Sequence, residues 1–385
     1  MMTKFRFGNS RWVRAIAAGV VVTALTACSS TDPRFEPAEL TEYAPGISAQ
    51  ELWSVSLGKG GGVGFAPVWV NDAVYAATRN GNVAKLDLAS GRVLWRTSLD
   101  TDLSAGVGSD GNVTAVATPE GQIIALDDAG QELWRARATS EVSIPPVVGQ
   151  GVVVVRSGDY RIQAFDARTG DLLWNVQRPG PALALKANIQ MIIIEGMVLS
   201  GLPNGKMIAI DIASGNVQWE GTVALSQGAT DLERIVEVLG TPQIQGPLLC
   251  GVAYQGQITC FNVSQGGQPA WQQYFSSNTG IGSDQVHVYA ADTRDTAQAF
   301  NLDTGAPAWK QNALRNRRLS APAVVADGVA FGDYEGYIHF LSRSDGQLLG
   351  RIRVDGDPIV SPLLATPRGI VVQTSGGNLT LVGAN

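Results

Sequence analysis

The side chains of this 385-residue sequence that are suited to covalent or metal chemistry are few: two histidines and three cysteines. His287 stands in Gln285-Val-His-Val-Tyr-Ala and His339 in Tyr337-Ile-His-Phe-Leu, each alone in an alternating, strand-like stretch. A zinc site gathers ligands at short paired spacings such as His-x-x-x-His or Cys-x-x-Cys, and neither spacing occurs. The expectation is a packed or hydrogen-bonded histidine at both places, with no metal site. No Gly-x-Ser-x-Gly elbow presents a nucleophile, and no catalytic residue is assigned. Gly58-Lys-Gly-Gly-Gly-Val-Gly64 has the composition of a phosphate loop. Such loops act with the N-terminus of a following helix, whereas Phe65-Ala-Pro67-Val-Trp-Val reads as the start of a strand. The glycine run is expected to be a connector.

The cysteines separate into two kinds. Cys28 ends an uncharged apolar run, residues 15–27, that follows Lys4, Arg6, Arg11 and Arg14. Thirteen residues are too few for a helix that must span a bilayer, which takes about 20, so the segment reads as a secretory signal. Its end, Leu25-Thr26-Ala27-Cys28, is similar to the bacterial lipobox, in which the cysteine thiol carries a thioether-linked lipid and becomes the first mature residue. Residues 1–27 are therefore expected to be removed, Cys28 acylated, and residues 28–50, without periodicity, a lipidated tether. Ser29 rather than Asp follows the cysteine, which by analogy favours the outer membrane. In the oxidising compartment beyond, Cys250 and Cys260 flank Tyr254-Gln-Gly256. A two-residue turn there puts them on opposite faces, and a three-residue turn centred on Gln255 pairs them as a disulfide; both remain open.

The elements that must position these residues come from one repeated unit. It runs Gly, alternating apolar residues, Asp or Asn, a Gly turn, then Trp. Gly81 to Asp87 leads to Gly91 and Trp95; Gly121, Asp127, Gly130 and Trp134 follow; then Asp166, Gly170 and Trp174; then Gly205, Asp211, Gly215 and Trp219. Gly256, Asn262, Gly266 and Trp271 have one residue more, Asn301, Gly305 and Trp309 come next, and a seventh copy ending at Gly346 has Gly350 where Trp is due. The eighth is split between Ile370–Val382 and Glu51-Leu-Trp53-Ser-Val-Ser-Leu57. A period of ~40–45 residues with four short strands is that of a propeller blade. Residues 51–385 are thus expected to form an all-β, eight-bladed propeller, closed by the N-terminal strand completing the last blade, which removes the exposed sheet edge. Asp or Asn starts each turn through its own side chain, Gly supplies the positive φ, and Trp fills the wedge between blades. Pro67, Pro146, Pro242, Pro322 and Pro362 stand where the next strands begin. The 45 glycines, well above the usual ~7% share, are accounted for as turn chemistry.

The unit Asp166-Ala-Arg-Thr-Gly170-Asp-Leu-Leu-Trp174 resembles the quinoprotein-type propeller repeat. Together with the lipobox and the tether it resembles, over residues 25–385, the BamB family of outer-membrane protein assembly factors. That resemblance implies a non-catalytic scaffold lipoprotein of the β-barrel assembly machinery, without cofactor, anchored to the outer membrane and facing the periplasm. Its implied partners are the periplasmic domains of the insertase BamA and nascent outer-membrane proteins. The alternative is a quinone-dependent periplasmic dehydrogenase or substrate-binding propeller on the same repeat; such enzymes resemble one another in an adjacent-cysteine ring, and this sequence has no Cys-Cys pair.

Without a catalytic set, function is expected at the surface. The net charge of −6 argues against nucleic acid, and loss of residues 1–27, with four basic and no acidic side chains, moves it to −10. Two blade-to-blade connections are longer than the rest and adjacent in the ring: Trp174 to Gly205 and Trp219 to Gly256. The first carries Leu183, Leu185 and Lys186, the second Glu233, Arg234 and Glu237. Apolar residues mixed with charge suit a partner site, and these six are the candidates; the competing reading places Leu183 and Leu185 in the inner strand of the next blade. Members of the family tend to carry two carboxylates before the Thr-Pro, where this chain has Glu237 and Leu239. Arg315, Arg317 and Arg318 are expected on a solvated loop.

Overall fold

The structure is a computed structural model that describes residues 33–384 apart from 182, 184, 186, 326 and 327. Cys28, with the signal segment and the start of the tether, and Lys186 lie outside the described residues. Eight four-stranded antiparallel sheets form the ring. Blade 1 spans residues 68–98, blade 2 105–137, blade 3 147–177, blade 4 192–222, blade 5 237–274, blade 6 281–311 and blade 7 323–353. Blade 8 takes three strands from residues 364–384, and strand Ala49–Ser56 is its outermost member, paired antiparallel to Asn378–Ala384. One face of the ring, the connection face, carries the links from each outermost strand to the next innermost strand, with the hairpins between second and third strands. The opposite face carries the remaining hairpins. Among the described residues no helix is long and apolar enough to cross a membrane.

Burial is organised by junction. Eight apolar clusters each draw side chains from two neighbouring blades, so a single blade is half a core and the ring is the smallest unit that buries every face. Each repeat carries its own fastening. In blade 3 the Asp166 carboxylate accepts from the backbone N–H of Arg168 and Thr169, both at 2.9 Å, and these bonds hold it below the usual carboxyl range. Gly170 completes the turn at φ +78°. Trp134 of blade 2 lies on that turn, its indole N–H donating to Ala167 O at 2.8 Å. A Cβ at 170 would stand 2.7 Å from the indole. The turn glycine thus answers two demands, backbone handedness and the approach of the neighbouring tryptophan, of which only the first was expected. The same indole-to-carbonyl bond is made by Trp53, Trp95, Trp174, Trp219, Trp271 and Trp309. In blade 5 the extra turn residue moves the contact, so that Gly267 rather than Gly266 lies against Trp219.

The seventh repeat lacks its tryptophan for a structural reason. Its partner would be the turn before the outermost strand of blade 8, and there the sheet is joined from two distant stretches of chain. Ile47 takes the place: its N–H and that of Gly46 donate to Leu349 O at 3.0 and 2.8 Å. Its side chain enters the cluster of Phe340, Ile359 and Val372, while a Cβ on Gly350 would meet Ile47 O at 3.0 Å.

Two sequence expectations are corrected here. Pro242 does not precede its strand but lies within Glu237–Gln245, where the register shifts between Leu239 and Gln243; a bulge tolerates the missing N–H. Arg317 is not on a solvated loop. It is 2% exposed, and its guanidinium donates to Asp333 at 2.8 Å and to Glu335. Asp333 also meets His339 Nε2 at 2.9 Å, so His339 is the hydrogen-bonded strand histidine expected. Burial pushes the His339 imidazole below its usual range. Asp333 is buried too, yet the bonds from His339, Tyr337 N–H and Arg317 bring its carboxyl below the usual range.

Candidate functional site

The two long connections lie side by side on the connection face. Residues 178–191 begin with Pro179, Gly180 and Pro181, which interrupt strand pairing, and the innermost strand of blade 4 starts only at Ile192. Leu183 and Leu185 therefore precede that strand. Leu183 is 47% exposed, and Leu185 packs half-buried against Ile144, Ile189 and Leu239 around the mouth of the ring.

Residues 223–236 form a self-supporting loop. Thr230 and Glu233 make a reciprocal cap of the Thr-x-x-Glu kind. The Glu233 carboxylate accepts from Thr230 N–H at 3.0 Å and Ala229 N–H at 2.9 Å, while Glu233 N–H donates to the Thr230 hydroxyl at 3.3 Å. These bonds hold the Glu233 carboxyl below its usual range. Arg234 Nε donates to Gly228 O at 3.0 Å. Glu233 and Arg234 are thus spent on the loop's own shape, and Leu225 and Leu232 project at 70% and 68% exposure. Neither leucine was among the candidates, although the spacing Thr230-x-x-Glu233 was a signal of a capped turn that would expose the residue between.

Backbone pairing joins the first connection to the innermost strand of blade 5, just past the second connection. Gly240 N–H donates to Asn188 O at 2.8 Å, Gln190 N–H donates to Gly240 O at 3.1 Å, and the Thr241 hydroxyl donates to Gln190 Oε1 at 2.7 Å. The seam leaves a cleft of about 470 Å³ on its outer side, lined by Pro179, Pro181, Leu183, Asp231, Arg234 and Ile235. On the inner side, toward the ring mouth, a cavity of about 600 Å³ is lined by Arg79, Ile144, Arg156, Tyr160, Leu185 and Glu237. Asn188 Nδ2 donates to Val360 O across the mouth, tying the approach to blade 4 to that of blade 8.

Glu237 is corrected from a surface contact to an internal strut. It is 1% exposed. Its Oε2 accepts from Leu185 N–H at 2.8 Å, and its Oε1 lies 3.5 Å from Arg156 Nη2. Arg156, equally buried, donates from Nη1 to Gly201 O at 2.6 Å. Burial pushes the Glu237 carboxyl up and the Arg156 guanidinium down, each opposed by its partner's charge. The pair therefore links blades 3, 4 and 5 beneath the connections. Of the six candidates, Leu183, Glu233 and Arg234 reach the surface of the outer cleft or its loop, Leu185 supports it, and Glu237 lies under it.

Cys250 and Cys260 are in register on neighbouring strands of blade 5 and joined by a disulfide, Cα to Cα 4.0 Å. Gln255, at φ +50°, centres the hairpin that aligns them. Among the described residues, no group of three or more His, Cys, Asp or Glu side chains is gathered as a metal site.

A family model described as outer membrane protein assembly factor BamB matches residues 41–103 and 79–311. The outer membrane protein assembly factor BamB of Bordetella pertussis is 57% identical over 98% of this chain and 99% of its own. The protein of that name from Burkholderia pseudomallei is 39% identical over 95% of this chain and 97% of its own. The crystal structure of BamB from Moraxella catarrhalis has the same fold, with a TM-score of 0.80 at 24% identity, covering 87% of this chain and 100% of that one.

Proposed function

This chain belongs to the BamB family of outer-membrane protein assembly factors, and from that membership we propose that it works as a non-catalytic scaffold. Acyl chains on Cys28 hold it at the outer membrane, and the long connections on blades 3 to 5 grip the periplasmic domains of the insertase BamA. Supporting this reading is the seam itself: the first connection, locked by backbone bonds to blade 5, presents Leu183 on the outer cleft, and the loop beside it leaves Leu225 and Leu232 exposed. Exposed leucines on a loop whose Glu233 and Arg234 already serve its own shape fit a desolvated contact. A quinone-dependent dehydrogenase is not favoured by the family membership.

The test is binding of the purified ring to the periplasmic domains of BamA. Leu183→Asp and Leu232→Asp should each weaken binding by about tenfold or more, as for anchoring apolar side chains at an interface, with thermal stability unchanged. Binding within twofold of wild type for both variants would refute the assignment.

A further inference from the structure

The junction of blades 4 and 5 is open on its outer side. The residue two places after the tryptophan, which is Thr97, Ala136 and Val176 in blades 1 to 3, is Gly221 in blade 4. A Cβ there would stand 2.2 Å from the Trp219 ring, so the indole lies along its own strand over Gly221. It meets Phe261 edge-on, ring centres 4.9 Å apart, and stays half-buried where Trp134, Trp174, Trp271 and Trp309 are buried. Beside it runs a cleft of about 710 Å³, which shares Ala224, Leu225, Gln227 and Gln257 with a second of about 610 Å³. The first begins at the Gly266–Gly267 turn on the opposite face, and the second ends at the Gln255 hairpin on the connection face. Together they form one groove up the outside of the ring, walled by strand Gln268–Tyr274, about 20 Å long.

The lining restricts what can fill the groove. Among the described residues that line it, none is Lys, Arg or His. Its two carboxylates are engaged: Glu220 accepts from Lys206 Nζ at 2.6 Å and lies 3.4 Å from Arg178 Nε, and Glu233 accepts from Ala229 and Thr230 N–H. An anion finds no counter-charge there, and a cation no free carboxylate. The remaining polar side chains are mostly amides. Gln227 and Gln268 are exposed and make no side-chain hydrogen bond among the described residues. Gln257 Nε2 donates to Val223 O at 2.9 Å, leaving its Oε1 to accept. A primary amide donates and accepts at once, which matches the adjacent hydroxyl and acetamido groups of a sugar. At the connection-face end Tyr274 is 82% exposed, and its apolar ring is a platform for the C–H face of a pyranose. An added polypeptide strand would instead need a free backbone edge, and Pro269 interrupts the outer edge of blade 5.

We propose that this groove binds a neutral glycan strand, its hydroxyl and acetamido groups held by Gln227, Gln257, Gln268 and Gln272 and one sugar ring lying on Tyr274. Leu225 and Gln227 face the groove from the same loop whose Ser226, Asp231 and Arg234 line the outer cleft. Groove and outer cleft therefore share a wall but no lining residue, and the glycan site stands independently of the partner assigned to the cleft.

The test is saturation-transfer NMR of tetra-N-acetylchitotetraose with the full-length protein in a detergent without a sugar headgroup. The wild type should saturate the pyranose C–H protons. Gln268→Ala combined with Gln272→Ala should weaken the tetraose by about tenfold or more, as for two lost hydrogen bonds. Tyr274→Ala should remove the strongest saturation, that of the protons lying on the ring. All three side chains are exposed, so melting temperatures should match the wild type. No saturation of the tetraose at millimolar concentration, or saturation undiminished in both variants, overturns the proposal. Saturation of a neutral peptide of threonine and glutamine in place of the sugar overturns it too, and gives the groove to a polypeptide.

Discussion

If the turn glycines serve the neighbouring tryptophan as well as the backbone, two glycines of one blade should respond differently to the same substitution. Gly151 and Gly170 both belong to blade 3, at φ +81° and +78°. A Cβ at 151 meets nothing within 4 Å, whereas at 170 it lies 2.7 and 2.8 Å from Trp134 ring atoms. Alanine at either position adopts a left-handed conformation, at a cost of about 1–2 kcal/mol. At 170 the indole must also move. Overpacking against a well-packed ring costs about 1–3 kcal/mol, and loss of the bond from Trp134 Nε1 to Ala167 O about 1 kcal/mol. Gly170→Ala should therefore destabilise by about 2–4 kcal/mol more than Gly151→Ala. Urea unfolding followed by far-UV circular dichroism measures both, and the difference should shrink in a Trp134→Leu background. Equal destabilisation of the two variants, or a difference that survives Trp134→Leu, would refute the double role of the glycine.

Other expectations concern buried charge and the disulfide. Glu237→Leu leaves the Arg156 guanidinium buried without its counter-charge and should cost about 3–5 kcal/mol, whereas Arg156→Met with Glu237→Leu should recover most of it; thermal melts that rank the double variant with the single one contradict the strut. His339 is held neutral by burial, so the unfolded chain takes up a proton on it first as pH falls below its ordinary ~6.5. Its contribution is present above that pH and lost below it. Between pH 7 and 5 the wild type should lose stability relative to His339→Gln. Asp333, held low, should add its own loss only below about pH 4. Parallel stability curves for the two proteins between pH 7 and 5 would count against this. Reduction should add two hydrogens to the mass of the mature ring, and Cys250→Ser with Cys260→Ser should cost at most about 3 kcal/mol for so short a loop; an unchanged mass removes the bridge.

The ring was legible because each repeat carries its fastening in one short stretch: turn former, glycine, tryptophan. Long-range partners were not. Glu237 stands between Val236 and Val238 in a stretch of mixed charge and apolar residues, which looks like a surface. Its burial depends on Arg156 from blade 3, which no local pattern announces. Arg317 shares a basic run with Arg315 and Arg318, and only Asp333 and Glu335 behind it set it apart. The absence of tryptophan at Gly350 was visible, but its cause, the insertion of Ile47, required knowing that residues 47 and 349 are neighbours. For the cysteines, spacing left two registers, and the left-handed Gln255 selects one. The two long connections were countable from the repeat; the pairing of the first with Gly240 of blade 5 was not.

The closure of blade 8 also orders events in time. Ala49–Ser56 is the first strand of the propeller to be made, yet its partner is Asn378–Ala384, and Ile47 must wait for Leu349. Contacts of such sequence separation form late. Until blade 8 has been delivered, the earliest strand has no sheet and seven blades stand as an open arc with two bare ends. Ring closure thus reports that the propeller is complete, and a chain stopped short is left with unpaired sheet edges open to pairing with other chains.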